Sequence, residues 1–202
     1  DNFEFDQDKE DALLGEGSFG KTYRMKSTVD GQVYAVKMIN VLKSQRDGTS
    51  VQTLKREVHN LLQLNSPFVV RYYTCFMRKK YFCIVMEIAR GGTASKLIKD
   101  KTIVLTEERI RSVMKQMVTG LEHIHSRKML HRDLKLENIL LAGDGEIRIS
   151  DFGLACLENS AQARGRAGTI THASPEKAAA KPYDSKDDMW AVGCMMAELI
   201  TG

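Results

Sequence analysis

A change of hydrophobic period near residue 91 constrains this chain more than any other feature. Before it, apolar residues come in short β-branched and aromatic runs, Gln32 to Ile39 (QVYAVKMI) and Tyr81 to Glu87 (YFCIVME), of the kind strands favour. A basic turn, Arg78-Lys79-Lys80, links the second run to Val69 to Phe76. Between these runs Val51, Leu54, Val58, Leu61 and Leu62 recur at helical spacing. After Gly91-Gly92 the helical period takes over in the stripe Ile110, Val113, Met114, Met117, Val118, Leu121 and Ile124. Thr106 is placed to cap that helix, with Glu107 and Glu108 in the first turn, where the helix dipole favours acids. Met189 to Ile200 is apolar on nearly every face and predicts a helix buried all round. The pattern predicts an α+β chain: a small β-rich lobe over about 1–87 with one main helix, a hinge over 88–92, and a larger helical lobe over 93–202.

Composition narrows the partners. The 202 residues carry a net charge of +4, yet Lys and Arg are nowhere clustered and interleaved with aromatics, so no nucleic-acid partner is expected. Cys75, Cys83, Cys156 and Cys194 lack metal-ligand spacing, and reduced thiols are the expectation. His123 and His125 lie two apart on a predicted helix and so point to different faces, which disfavours a metal pair. No signal peptide opens the chain, and the longest apolar run, near Met189 to Ala197, is about half the ~20 residues of a bilayer span. A cytoplasmic protein without a membrane span is expected.

Gly15-Glu-Gly-Ser-Phe-Gly20 fits GxGxxG, which alone is weak. A dinucleotide-binding fold needs such a loop to enter a helix, whereas here Lys21-Thr-Tyr-Arg-Met favours a strand. The glycines therefore lie in a hairpin that can fold over phosphates, since a Cβ would hold the backbone away from a ligand. Lys37 sits among apolar neighbours, and Glu57 points from the apolar face of its helix between Leu54 and Leu61. A carboxylate aimed at a core needs a cation, and Lys37 is the natural one. A snorkelling lysine and a glutamate at the helix edge fit the same residues equally well.

The segment His131-Arg-Asp-Leu-Lys-Leu-Glu-Asn138 leads into a hairpin, Ile139 to Leu141 and Ile147 to Ile149, and centring its turn on Asp144-Gly145 places Asn138 opposite Asp151. An amide oxygen beside a carboxylate, near phosphates, suits Mg²⁺. Asp133 lies five residues before Asn138, in the loop that enters the same hairpin, and is not a third metal ligand if it must accept a proton from an attacking hydroxyl. Lys135 can put positive charge on a transferred phosphoryl, although each polar residue alone also reads as part of a solvated loop.

Taken together, the glycine loop, Ala35-Val-Lys37, His131-Arg-Asp133 with Lys135 and Asn138, Asp151-Phe-Gly153, Ser174-Pro-Glu176 and Asp188-Met-Trp190 resemble the eukaryotic protein kinase family over essentially the whole chain. The resemblance implies a two-lobed fold and ATP- and Mg²⁺-dependent transfer to a protein substrate. It implies that Gly15, Gly17 and Gly20 cover the ATP phosphates and that Lys37, paired to Glu57, holds them. Ala35 and Leu140 would sandwich adenine, Met86 would stand behind it, and Glu87 and Ala89 would offer it backbone bonds. Asp133 would be the catalytic base, Lys135 the serine/threonine-type lysine, Asn138 and Asp151 the Mg²⁺ ligands, and Asp188 a brace for the catalytic loop. Glu137 reads either as a solvated acid or as a reader of a basic residue upstream of the acceptor.

Several positions depart from that pattern. Thr22 replaces a valine, His172 an aromatic, and Ser174 an alanine; the last, with the GEGSFGK loop, is similar to NIMA-related kinases. Gly165 stands where many relatives carry a phosphoacceptor, so activation independent of phosphate there is expected, with Ser160 and Thr171 as substitutes and Thr169 orienting substrate. The resemblance also implies a fold continuing past Gly202 and an arginine there for Glu176. A C-terminally truncated chain is therefore expected, with an inactive fragment, a pseudokinase or a scaffold as the alternatives to an active enzyme.

Overall fold

Alternating side chains draw the first part of the chain into a sheet. In the computed structural model the described residues are all but 1, 9, 18–19, 47–49, 144, 153–155 and 158–167, with only the backbone of 46, 156 and 157. The chain divides into two compact units, Asp1–Asn65 with Arg71–Ile88, and Ser66–Val70 with Ala89–Gly202.

In the first unit, β1 (Phe3–Phe5), β2 (Leu13–Gly17), β3 (Gly20–Ser27), β4 (Val33–Asn40), β5 (Tyr72–Arg78) and β6 (Tyr81–Met86) form one antiparallel sheet. Its order is β1-β3-β4-β6-β5, with β2 also on β3. Side chains alternate across it. Val36 and Met38 enter a core with Ala12, Tyr23, Met25, Cys83 and Val85, rimmed by Phe3, Phe5, Tyr34, Phe76 and Tyr81. Ala35, Lys37 and Ile39 therefore project from the other face. Two helices follow β4, α1 (Val41–Arg46) and α2 (Val51–Leu62). Ser50 caps α2 by accepting from the Thr53 amide, and Leu54, Val58 and Leu61 are its buried residues.

The strand expected from Val69 starts only at Tyr72. The residues before it are taken by the second unit: the Val70 amide donates to Ile149 O at 2.9 Å, and the Ile149 amide to Phe68 O at 2.8 Å. The strand expected to reach Glu87 ends at Met86.

The second unit is built on α3 (Lys96–Lys99), α4 (Glu107–Ser126), α5 (Pro175–Ala178) and α6 (Lys186–Thr201). Two small antiparallel pairs accompany them, β7 (Met129–Leu130) with β10 (Cys156–Leu157) and β8 (Ile139–Gly143) with β9 (Glu146–Ile149). Thr106 caps α4 as its sequence implies, accepting from the Arg109 amide at 3.2 Å. Midway along α4, Gln116 bonds the β8–β9 turn twice, donating to Gly145 O at 2.9 Å and accepting from the Ile147 amide at 3.0 Å. Helix α6 is not buried all round. Asp187, Asp188, Ala191, Val192, Met195 and Leu199 are buried, whereas Met189, Trp190, Met196 and Ile200 are 42–60% exposed. The 3.6-residue period puts these sets on opposite faces. Among the described residues only the first face is covered.

Candidate active site

The expected catalytic segment is held from beneath by α6. Asp188, 1% exposed, accepts at Oδ2 from the His131 amide (2.9 Å) and His125 Nε2 (2.8 Å), and at Oδ1 from the Arg132 amide (2.9 Å). Burial pushes its carboxyl up, but the His125 ring, His131 and the two amides outweigh it and hold Asp188 below the ordinary aspartate range. His131 is fixed in turn. Its Nδ1 accepts from the Asp133 amide at 3.3 Å, so Nε2 carries the hydrogen given to Ser150 O at 2.8 Å. His123 faces elsewhere, against Arg127, and His125 against Asp188, so the two do not form a pair.

Asp133 has ligands on both oxygens. Oδ1 accepts from the Thr169 amide at 2.8 Å and the Thr169 hydroxyl at 2.7 Å. Oδ2 lies 3.3 Å from Lys135 Nζ and accepts from Asn138 Nδ2 at 3.2 Å. Burial pushes this carboxyl up; the Thr169 hydroxyl, the Lys135 ammonium and the Thr169 amide together hold it below the ordinary range. Lys135 Nζ also donates to the Thr169 hydroxyl at 3.0 Å. A hydroxyl, an ammonium and a carboxylate thus meet within hydrogen-bond reach. Glu137 is half exposed, 3.5 Å from Lys99 Nζ, as a solvated acid would be.

The hairpin register differs by one residue from expectation. Ile139 pairs with Ile149 and Leu140 with Arg148, and a bulge between Leu141 and Gly143 absorbs the offset. Asn138 O therefore receives the Ser150 amide (2.8 Å) and hydroxyl (2.9 Å), where Asp151 was expected to face it. Asp151 is the next residue, with φ 60. Asp144, the expected turn centre, lies outside the described residues, as do Gly153, Ser160 and Gly165. Asn138 Nδ2 is committed to Asp133, to its O at 2.7 Å and to Oδ2, so its amide oxygen is the atom left to offer a hard cation. The described residues hold no group of three His, Cys, Asp or Glu that could bind a metal. An amide oxygen and one carboxylate fit Mg²⁺ only where phosphate oxygens and waters complete the shell, which is how Mg²⁺ binds beside a nucleotide.

In the first unit, Thr22, Ala35, Lys37, Ile84 and Met86 share a face, since Lys37 is opposite both Thr22 and Ile84 and Ala35 opposite Met86. Ala35 and Met86 are buried there. The loop glycines divide into two kinds. A Cβ on Gly20 would press on the Met38 carbonyl of β4, so the fold itself demands glycine; a Cβ on Gly15 or Gly17 would meet nothing within 4 Å. Internal packing therefore does not explain the latter two, and the space above them is open to whatever approaches the loop. Ser18 and Phe19 lie outside the described residues. Glu87 gives its amide to Arg71 O at 2.8 Å, so a bond from it to a base would have to use its carbonyl. Ala89 and Leu140, in the second unit, are half-buried, and Leu140 bridges Thr93. The Lys37–Glu57 pair is not formed. Among the described residues Glu57 has no ion-pair partner, and burial, only partly offset by Arg56, pushes its carboxyl up.

Sequence reading missed three participants. Gly168 has φ 95, and a Cβ on it would meet the Arg132 carbonyl and lie 3.2 Å from Asp133 Oδ1. Lys177, 4% exposed, donates to Arg132 O at 2.6 Å and to Asp187 Oδ2 at 2.8 Å. Tyr183 accepts from Arg132 Nε at 2.7 Å. Only the glycine carried a signal, as a residue type suited to positive φ. Nothing in the spacing of Lys177 or Tyr183 points inward.

The protein kinase domain model matches residues 9–202. The serine/threonine-protein kinase Nek1 of Mus musculus is 40% identical over 191 residues, 93% of this chain and 16% of its own length. Serine/threonine-protein kinase Nek5 of Homo sapiens is 37% identical over 200 residues, 96% of this chain and 28% of its own. Serine/threonine-protein kinase PLK4 of Nematostella vectensis is 35% identical over 192 residues, 94% of this chain and 20% of its own. The chain thus spans less than a third of the length of each of these relatives.

Proposed function

Because the chain belongs to the protein kinase domain family, we propose that it transfers the γ-phosphoryl group of ATP to a serine or threonine hydroxyl of a protein. The observation that carries this reading is the Asp133 carboxylate, kept ionised by the Thr169 hydroxyl, the Thr169 amide and Lys135. A carboxylate held so far below neutral pH is a weak general base. Its main work is then to orient the attacking hydroxyl as a hydrogen-bond acceptor, taking the proton once the oxygen has lost electron density to phosphorus. The Thr169 hydroxyl on Oδ1 supports this role, since it shows the carboxylate accepting from a hydroxyl.

Bound Mg²⁺·ATP would supply the phosphoryl group and the cation that offsets its charge. Gly15, Gly17 and Gly20 with Lys37 would bind its phosphates, Ala35, Met86, Glu87, Ala89 and Leu140 its base, and Asn138 and Asp151 the metal. Lys135 sets positive charge beside the acceptor oxygen, and Glu57 would steady Lys37 only after α2 moves its carboxylate to the lysine. Catalysis by such residues rests on positioning and electrostatics. The free thiols Cys75, Cys83 and Cys194 support a reducing, cytoplasmic setting, and no helix among the described residues is long and apolar enough to cross a membrane.

The unpaired Glu57 favours a second reading, a nucleotide-binding module without transfer. Radiolabel transfer from Mg²⁺·ATP to a basic protein substrate, beside thermal-shift titration with the nucleotide, separates the two. The kinase reading expects transfer by the natural chain and its loss, with nucleotide binding kept, in Asp133→Asn. Binding without transfer, or full transfer by Asp133→Asn, refutes it.

A further inference from the structure

Lys177 and Asp187 form a buried ion pair that the phosphoryl-transfer scheme does not use. Their side chains are 5% and 4% exposed, with Nζ and Oδ2 2.8 Å apart. A buried pair is weak evidence for stability, because desolvation offsets most of the attraction, and its use has to be sought in what it fixes. Here the remaining contacts are specific. Lys177 Nζ donates to the Arg132 carbonyl at 2.6 Å and stands 5.4 Å from the Tyr183 ring centroid. Asp187 Oδ1 accepts from the Ser174 amide at 3.1 Å, at the start of α5.

Arg132 is the residue before Asp133, and its φ of 72 is a left-handed conformation that a non-glycine residue holds only when its surroundings impose it. Its amide is fixed by Asp188 Oδ1 at 2.9 Å, its carbonyl by Lys177 and its side chain by Tyr183. Two consecutive acids of α6 therefore grip both ends of one strained residue, Asp188 directly and Asp187 through the lysine. We propose that Lys177, anchored by Asp187, is a positioning residue for the Asp133 carboxylate, holding the Arg132 carbonyl and so tying the Ser174–Ala178 segment to the catalytic loop. The proposal rests on the kinase reading for its effect on rate, but not for its effect on the loop.

The test compares Lys177→Met, Lys177→Gln and the double variant Lys177→Met/Asp187→Asn with the natural chain. Melting temperature, kcat, KM for ATP and amide hydrogen exchange over residues 131–134 are followed. Lys177→Met strands a buried carboxylate and melts lower; the double variant removes that stranded charge, keeps an acceptor for the Ser174 amide, and regains most of the loss. If the pair positions the base, the double variant still loses roughly tenfold to a hundredfold in kcat. Its KM for ATP stays within about twofold, and exchange over 131–134 speeds up. Lys177→Gln, which keeps an N–H for the Arg132 carbonyl without the charge, recovers part of the kcat lost in Lys177→Met. A folded double variant with natural kcat, or unchanged exchange over 131–134, overturns the proposal. Should the double variant not fold, equal kcat in Lys177→Gln and Lys177→Met overturns it. Faster exchange in a chain whose natural form transfers no phosphate supports the clamp and sinks the kinase reading instead.

Discussion

Replacing Gly168 by alanine is the sharpest test of how the catalytic loop is held. The new Cβ would lie about 1 Å inside the ~3.3 Å of an ordinary C···O contact with the Arg132 carbonyl, and 3.2 Å from Asp133 Oδ1. The carbonyl cannot simply retreat, because Lys177 Nζ donates to it at 2.6 Å. Two costs add. An alanine at φ 95 carries roughly 1–2 kcal/mol of backbone strain, and loosening the lysine bond costs a further ~1–3 kcal/mol. For a chain of this size each kcal/mol moves Tm by about 2–4 °C, so a fall on the order of 10 °C is expected. On the proposed kinase reading, in which Asp133 is the base, a displacement near 1 Å beside it also costs kcat about a hundredfold. Differential scanning calorimetry and steady-state kinetics at a temperature where both proteins are folded read the two effects separately. Gly193→Ala is the control: it lies in α6 with nothing within 4 Å of a built Cβ, and gains up to about 1 kcal/mol of helix propensity. Unchanged Tm and kcat in Gly168→Ala would refute the claim that the close approach at Arg132 sets the position of Asp133.

The loop glycines give a second prediction. Gly20→Ala should lower Tm because its Cβ meets the β4 backbone, whereas Gly15→Ala and Gly17→Ala should melt as the natural chain does but bind ATP more weakly; a Tm loss in all three contradicts the division. Asp188→Asn keeps the shape but puts a donor against donors, and should cost about 3 kcal/mol in denaturant unfolding at pH 7. The pH dependence follows from the depressed Asp133 and Asp188 carboxyls. Their folded values lie below the unfolded one, so their stabilisation is complete above the ordinary aspartate value of about 3.9 and is lost as pH falls through the folded values. Melting curves between neutral pH and pH 3 should show that acid limb, flattened in Asp188→Asn; an identical limb would remove Asp188 as its source. Burial raises the Glu57 carboxyl with no cation paired to it, so Glu57→Gln should leave Tm at pH 7 unchanged or raise it, and a clear drop would reveal an ion pair.

Much of the fold was readable from local pattern. The Thr106 cap, the helical stripe of α4 and, to within a residue at their ends, the β4 and β6 strands lie where periodicity and capping put them, because each is decided by neighbours a few residues apart. The hairpin register was not, since a bulge near Gly143 shifts every pair beyond it and leaves no mark in hydrophobic alternation. Helix α6 shows the same limit. Its composition is apolar on all sides, but which side is covered depends on what packs there, and one face is open among the described residues.

The sequence by itself determined which chemistry is present: a lysine on a strand, an aspartate five residues before an asparagine, and glycines where phosphates could approach. Tertiary structure decided what each group touches. Lys177 and Asp187 are ten residues apart and Gly168 and Arg132 thirty-six, and they meet because α5, α6 and the catalytic loop fold onto one another. The ionisation of Asp133 and the grip on Arg132 depend on burial and on contacts across such separations, which no local pattern of residues encodes.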